Sequence, residues 1–170
     1  PPALAQRSRD QLRRIQIEDE VRAGVLHRVS EHHALTEIVA PAHQLRRLAR
    51  KAASQDEVPI GAVIVHDGQI IGRAWNQVET LKDATAHAEM LALTQAETAL
   101  GDWRLENCDL YVTKEPCPMC AGAIVHCRIR RVIFGCPDPK GGAAGGFWNL
   151  LQAPNLNHRS EITSGTLAEE

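Results

Sequence analysis

Cys117 and Cys120 stand three residues apart in the run Glu115-Pro116-Cys117-Pro118-Met119-Cys120, and His87 lies thirty residues upstream in Thr85-Ala86-His87-Ala88-Glu89-Met90. Proline beside the first cysteine favours a helix that begins there. The i, i+3 offset then turns both sulfurs to one side of that helix. A second helix is predicted to start at Thr85, around His87. A fold that uses these three side chains together must bring two helix starts to one point, and few chain paths do so.

The chain holds five cysteines, an odd number, and nothing in it suggests secretion, so reduced thiols are expected in place of a disulfide framework. A redox reading of Cys-x-x-Cys would need a thioredoxin-like βαβ pattern, which the flanking sequence lacks. One imidazole and two thiolates form a donor set suited to zinc. The positive end of a helix favours the thiolate form. Structural zinc sites close with four protein ligands, whereas catalytic sites keep three and leave one position open. Glu89, two residues beyond His87, would ligate the same ion awkwardly, but a carboxylate beside it can take and return protons. His126, six residues past Cys120, falls on the wrong helix face for a fourth ligand. Cys108, Cys127 and Cys136 are expected as small buried residues.

Around this cluster the pattern alternates between helices and strands. Leu45, Leu48, Ala49, Ala52 and Ala53 mark one face of an amphipathic helix that follows Pro41. Two Ile/Val-rich runs flank Asp67-Gly68, a strong hairpin signal with His66 near its tip. Helical periodicity spans Thr85 to about Leu100. The run CDLYVT reads as a buried strand, CPMCAGAIVHC as a helix and RRVIFG as a further strand. The glycine-rich PDPKGGAAGG, a short helix around Trp148 to Leu151 and the polar turn APNLNHR follow. Trp103, Phe147 and Trp148 are expected as packing residues, the last two also as candidates for stacking on a base. This order implies a mixed sheet flanked by helices.

A length of 170 residues suits one well-packed core. Residues 1–40, with six Arg, no Lys and six acidic residues, read as a charged, helical N-terminal extension, leaving 41–170 as the domain. The first residue is not Met, so a trimmed product or a fragment is expected. No apolar run approaches the roughly 20 residues that cross a bilayer. The opening PPALAQRSRDQLRR also lacks the apolar segment of a secretory signal, so no membrane partner and a cytoplasmic location are expected. A formal net charge of −2 gives no global attraction for nucleic acid, so any such site must be a local basic patch.

The pairing of His-x-Glu with Pro-Cys-x-x-Cys is the signature of zinc-dependent nucleobase deaminases. From about His43 to Glu169 the chain resembles the cytidine-deaminase-like superfamily. Within it, VPIGAVIV, Trp75-Asn76, TAHAEM, LYVTKEPCPMCAGAIVHCRI, DPKGGAAG and PNLNHRSEIT are similar to the bacterial tRNA-specific adenosine deaminases. That resemblance implies a three-layer α/β/α sandwich around a mixed five-stranded sheet. It implies one Zn²⁺ per subunit on His87, Cys117 and Cys120, with Glu89 as proton shuttle. It also implies a homodimer whose groove draws on both subunits. Asn76 and the backbone of Ala88 would hydrogen-bond a flipped-out adenine, and Asp138 and Lys140 would approach the neighbouring nucleotides. The implied substrate is the wobble adenosine of a tRNA anticodon loop, where a base leaves its stack easily. Lys140, Arg128, Arg130, Arg131 and Arg159 are candidate phosphate contacts. Three features depart from the family pattern: Lys114 replaces a neutral side chain, residues before Pro41 have no counterpart, and the family continues past Glu170 with another helix. The alternatives on the same fold are a deaminase of free guanine, cytidine or dCMP, and an editor of single-stranded DNA. A non-catalytic zinc-binding subunit would require a fourth protein ligand or loss of Glu89.

Overall fold

The computed structural model describes residues 41–165. The expected N-terminal extension, its boundary at residue 40 and the segment after 165 lie outside the described residues. Helix α1 covers 41–53, and its apolar stripe is buried at Leu45, Leu48 and Ala52. The hairpin follows as β1 (Gly61–His66) and β2 (Gln69–Trp75). Its turn residues Asp67 and Gly68 both take positive φ, 48° and 74°, the backbone pair that a tight two-residue hairpin turn requires. A short helix α2 (Val78–Leu81) precedes α3 (Ala88–Leu100), so the long helix begins three residues later than its periodicity suggests. Then come β3 (Cys108–Lys114), α4 (Pro118–His126), β4 (Arg131–Cys136) and β5 (Glu161–Ser164).

The sheet order is β2-β1-β3-β4-β5. β1 runs antiparallel to both β2 and β3, while β3, β4 and β5 run parallel. The sheet is therefore mixed, and α4 is the crossover between the parallel strands β3 and β4. Two side-chain ladders divide the core by the period-two alternation of strands. Ala62, Val112 and Phe134 form one row with Ile64, Leu110 and Val132 beside it, packed with α3 and α4 residues such as Ala92 and Ile124. Val63, Tyr111 and Ile133 are aligned on the other face and are equally buried. On that face α1 comes so close to β1 that a Cβ on Gly61 would lie 2.7 Å from Leu48 Cβ. Burial on both faces explains why β3 and β4 read as nearly continuous apolar runs.

Three expectations are corrected here. Residues 148–151 form no helix: the chain folds back as turns, Trp148 N donates to Gly142 O at 2.9 Å, and Ala144 bridges Asn149. Loop closure by backbone bonds to Gly142 outweighs the weak local helix signal. Trp103, Phe147 and Trp148 are not core residues but are exposed, at 48%, 58% and 56%, because the core is already filled by aliphatic side chains. Cys108 is buried as expected, Cys127 is half-buried with its thiol on Glu97, and Cys136 is exposed, its thiol on the Thr113 carbonyl at the end of β4.

Candidate active site

His87 and Cys117 are the N-cap residues of α3 and α4. Both take extended backbone angles, and neither side chain caps its helix, which is the usual task at that position. They turn towards each other instead. His87 Nδ1 lies 3.6 Å from Cys117 Sγ and 3.5 Å from Cys120 Sγ. All three donor atoms fall within 4.8 Å of one another, and His126 is not among them. Zn–S bonds near 2.3 Å and Zn–N bonds near 2.0 Å place nitrogen and sulfur about 3.6 Å apart in a tetrahedral site. The donor spacing thus fits such an ion.

The protonation of the cluster fits as well. Cys117 is lowered to about 5, chiefly by the hydrogen bond from the Cys120 thiol. Cys120 is raised by that same bond, then by burial and the neighbouring negative groups. A divalent cation would displace the thiol protons of the pair and take two thiolates. Glu89, 3% exposed, occupies the first turn of α3 and its carboxyl is raised, first by burial. Its Oε2 has no hydrogen-bond partner among the described residues. A buried polar oxygen left unpaired is costly, which marks this one as open to a partner that the described residues do not supply. Ala88, fully buried at the first position of α3, has an N–H with no intrahelical acceptor.

Asn76 is tied into the same region through its backbone. Its N–H donates to Ile60 O at 3.0 Å, and the N–H of Gln77 donates to the carbonyl of Ala86, the residue before His87, at 3.0 Å. Its side-chain amide donates from Nδ2 to Glu57 Oε2 at 3.0 Å. Glu57 also accepts from the backbone of Thr80 and Glu79, at 2.7 and 3.2 Å. Burial works to raise its carboxyl, but these donors outweigh it and leave the group below the ordinary carboxylate range.

Asp138 and Lys140 stand on the loop that leaves β4, and here the structure reveals a residue to which sequence reasoning gave no role. Glu115, 4% exposed, accepts from the N–H groups of Asp138, Ala144 and Gly146, each at 2.8 Å. A Cβ at Gly142 or Gly146 would strike its carboxylate, so the glycines are needed for close approach to this one side chain. The strand register makes this possible, since Lys114 pairs with Cys136 and sets the two strand exits side by side. The signal available in the sequence was a glutamate directly before a ligand motif and a glycine-rich loop after the next strand. Lys114, the departure from the family pattern, bonds to Asp138 Oδ2 at 2.7 Å and holds that carboxyl below the usual range. Arg130 and Arg131 both grip buried Asp109, while Arg128 and Arg159 donate to the carbonyls of Asn157 and Pro154. Lys140 is exposed.

The position of Glu115 gives a test. Glu115→Gln has the same shape but sets an amide N–H₂ against a backbone N–H. It is expected to lower stability by about 1–3 kcal/mol, the cost of an unpaired buried polar group. Urea unfolding measures this, and a change within about 0.5 kcal/mol, the span of an ordinary surface substitution, would exclude a carboxylate-specific role.

Comparison with known proteins follows the same lines. The sequence model of the MafB19-like deaminases matches residues 40–169. The tRNA-specific adenosine deaminase of Bacillus subtilis is 57% identical over 122 residues, which cover 72% of this chain and 76% of that protein. A solved structure from work on A-to-I editing by tRNA:A34 deaminases at the wobble position superposes with a TM-score of 0.73 at 46% identity, covering 76% of this chain and 99% of that one. The guanine deaminase of Bacillus subtilis superposes with a TM-score of 0.55 at 40% identity, covering 58% of this chain and 63% of that one.

Proposed function

Because the chain belongs to the MafB19-like deaminases and, within them, to the tRNA-specific adenosine deaminases, we propose that it converts the wobble adenosine of tRNA to inosine by hydrolysis. The observation that carries this reading is the His87–Cys117–Cys120 donor set, spaced 3.5–3.6 Å across two helix caps, beside a buried carboxylate with an unpaired oxygen.

His87, Cys117 and Cys120 would hold the zinc, which when bound lowers the pKa of water towards about 7. Glu89 takes a proton from the attacking water and delivers it to N1 of the adenine ring. It then takes the second proton of that water, from the hydroxyl added at C6, and carries it to the departing amine as the C6–N bond breaks, so that adenosine and water give inosine and ammonia. Burial suits this role, because a carboxyl raised by desolvation holds a proton more readily than an exposed one and can return it to a positioned base. Asn76 and the Ala88 N–H orient the base from the side of α3. The loop pinned by Glu115 presents Asp138 and Lys140 to the flanking nucleotides, and exposed Lys140 offers the charge a phosphate needs. The same reading includes a homodimer whose groove draws on both subunits, cytoplasmic action, and a charged extension over 1–40 ahead of the deaminase domain. Among the described residues no helix is long and apolar enough to cross a membrane.

The test is inosine formation by zinc-loaded protein on an anticodon stem-loop carrying adenosine at the wobble position. Nucleosides are measured after digestion, with free guanine, cytidine, dCMP and the matching DNA stem-loop in parallel. Inosine from the RNA, with little ammonia from the free bases, is expected. Ammonia from guanine with no inosine from RNA would overturn the reading in favour of a free-base enzyme. Equal conversion of the DNA loop would widen it to single-stranded DNA.

A further inference from the structure

We infer that Glu57 is a positioning residue that fixes the amide of Asn76 in one orientation, and so requires the bound nucleoside to offer a hydrogen-bond donor to Asn76 Oδ1. The inference rests on the proposed function, because it gives Asn76 a nucleoside to meet.

Glu57 lies between α1 and β1 and is 5% exposed. Its Oε1 accepts from Thr80 N at 2.7 Å, and its Oε2 accepts from Glu79 N at 3.2 Å and from Asn76 Nδ2 at 3.0 Å. Two of these donors belong to α2, whose own N-cap residue, Gln77, makes no side-chain capping bond. Glu57 therefore caps that helix from a distant part of the chain and holds Asn76 with the same carboxylate. A carboxylate can only accept hydrogen bonds. An asparagine amide that faces it must present its N–H₂, and a flip would set oxygen against oxygen in a buried site. Asn76 Oδ1 takes no hydrogen bond from any described residue. Its main chain is meanwhile clamped to Ile60 and, through Gln77, to the residue before His87. The outcome is a fixed acceptor, one residue from the rung that positions a ligand of the cluster. An N–H or O–H of the nucleoside satisfies it; an acceptor in that place is repelled.

Glu57→Gln makes this testable, because the substituted amide has only one acceptor end. If its oxygen stays on Thr80 N, its nitrogen meets Asn76 and turns that amide over. The double variant Glu57→Gln/Asn76→Asp reverses the pair: the new carboxylate accepts from the new amide and again presents an acceptor to the nucleoside. On zinc-loaded protein and the RNA stem-loop, Glu57→Gln is expected to raise KM by about tenfold or more with a smaller change in kcat, as loss of a binding contact does. Adding Asn76→Asp should bring KM back to within about threefold of the parent, while the thermal midpoint stays at that of Glu57→Gln, because the Glu79 N–H faces the new amide in both variants. A purely structural Glu57 would show loss of stability without this reciprocal recovery. In ¹⁵N-resolved spectra of the full chain, the Asn76 side-chain N–H₂ should be protected from exchange in the parent and lose that protection in Glu57→Gln. An Asn76 signal or a KM unchanged in Glu57→Gln overturns the inference, as does a folded double variant that stays impaired. If the parent forms no inosine at all, the proposed function fails, and the amide signals still decide whether Glu57 fixes Asn76.

Discussion

Glu89→Gln is expected to retain bound metal and thermal stability and to lose inosine formation by about 10²–10⁴-fold, the range that one positioned acid–base group contributes. Glutamine matches glutamate in shape, so it fits the buried first turn of α3. It cannot accept a proton from water and pass it to a base. The same substitution adds no new cost, since the oxygen unpaired among the described residues is replaced by an amide atom equally unpaired and no charge can be buried there. Activity and stability should therefore separate, with the midpoint of unfolding equal to or above that of the parent. Metal analysis, nucleoside chromatography and a thermal melt on one preparation give all three readings. A variant that keeps its metal and more than about a tenth of its rate would lie below that range and remove Glu89 as the proton carrier.

Cys120→Ser is expected to act on the opposite pair of properties, losing metal and stability together. Cys120 is fully buried, and its thiol lies 3.5 Å from His87 Nδ1. Serine keeps the volume close but replaces the soft sulfur donor that favours zinc. Loss of a direct ligand should exceed the roughly 10–100-fold affinity loss seen for outer-shell changes. An ion present at about 1,000 times its Kd stabilises the fold by about 4 kcal/mol. Removing it should lower the thermal midpoint by on the order of 10 °C in a domain of this size. Chelation of the parent should reproduce that drop, and Cys120→Ser should show no further drop with chelator. Cys127→Ala serves as control, because Cys127 pairs with Glu97 and stands outside the cluster. If Cys120→Ser bound metal as tightly as the parent, the donor set would have to be drawn elsewhere.

Much of this site was legible in the sequence because its signals are local. His87, Cys117 and Cys120 announce themselves by residue type and by position at helix starts, and the Asp67-Gly68 turn marks the hairpin, whose first pairs it sets before a register shift between Ile64 and Val65. β5 was absent from the residue-by-residue reading for the converse reason. It is four residues long, only one of them even half-buried, and it pairs along one edge of β4, so no periodicity marks it. Glu57 and Glu115 escaped because their partners lie 19 to 31 residues away, and a buried carboxylate looks in sequence like any surface acid. Phe147 and Trp148 misled because large aromatic side chains are expected inside, while here they stack edge to face at 4.9 Å on the outside of a closed loop. The place of Lys114 became clear only with the parallel register, which carries Asp138 to it.

The bond between Glu115 and the loop after β4 has a consequence for how such a site can diversify. Within residues 137–146, positions 142 and 146 accept no side chain while Glu115 is in place, and Gly145, at φ +124°, disfavours any residue but glycine. Lys140 and Gly141 are under no such restriction, since Lys140 faces solvent and a Cβ at 141 would make only ordinary contact with Asp138 at 3.6 Å. Frame and display are thereby uncoupled. Drift or selection can rewrite what the loop offers to a substrate at a few tip positions while the carboxylate keeps the loop's shape, so new preferences can arise without a new scaffold.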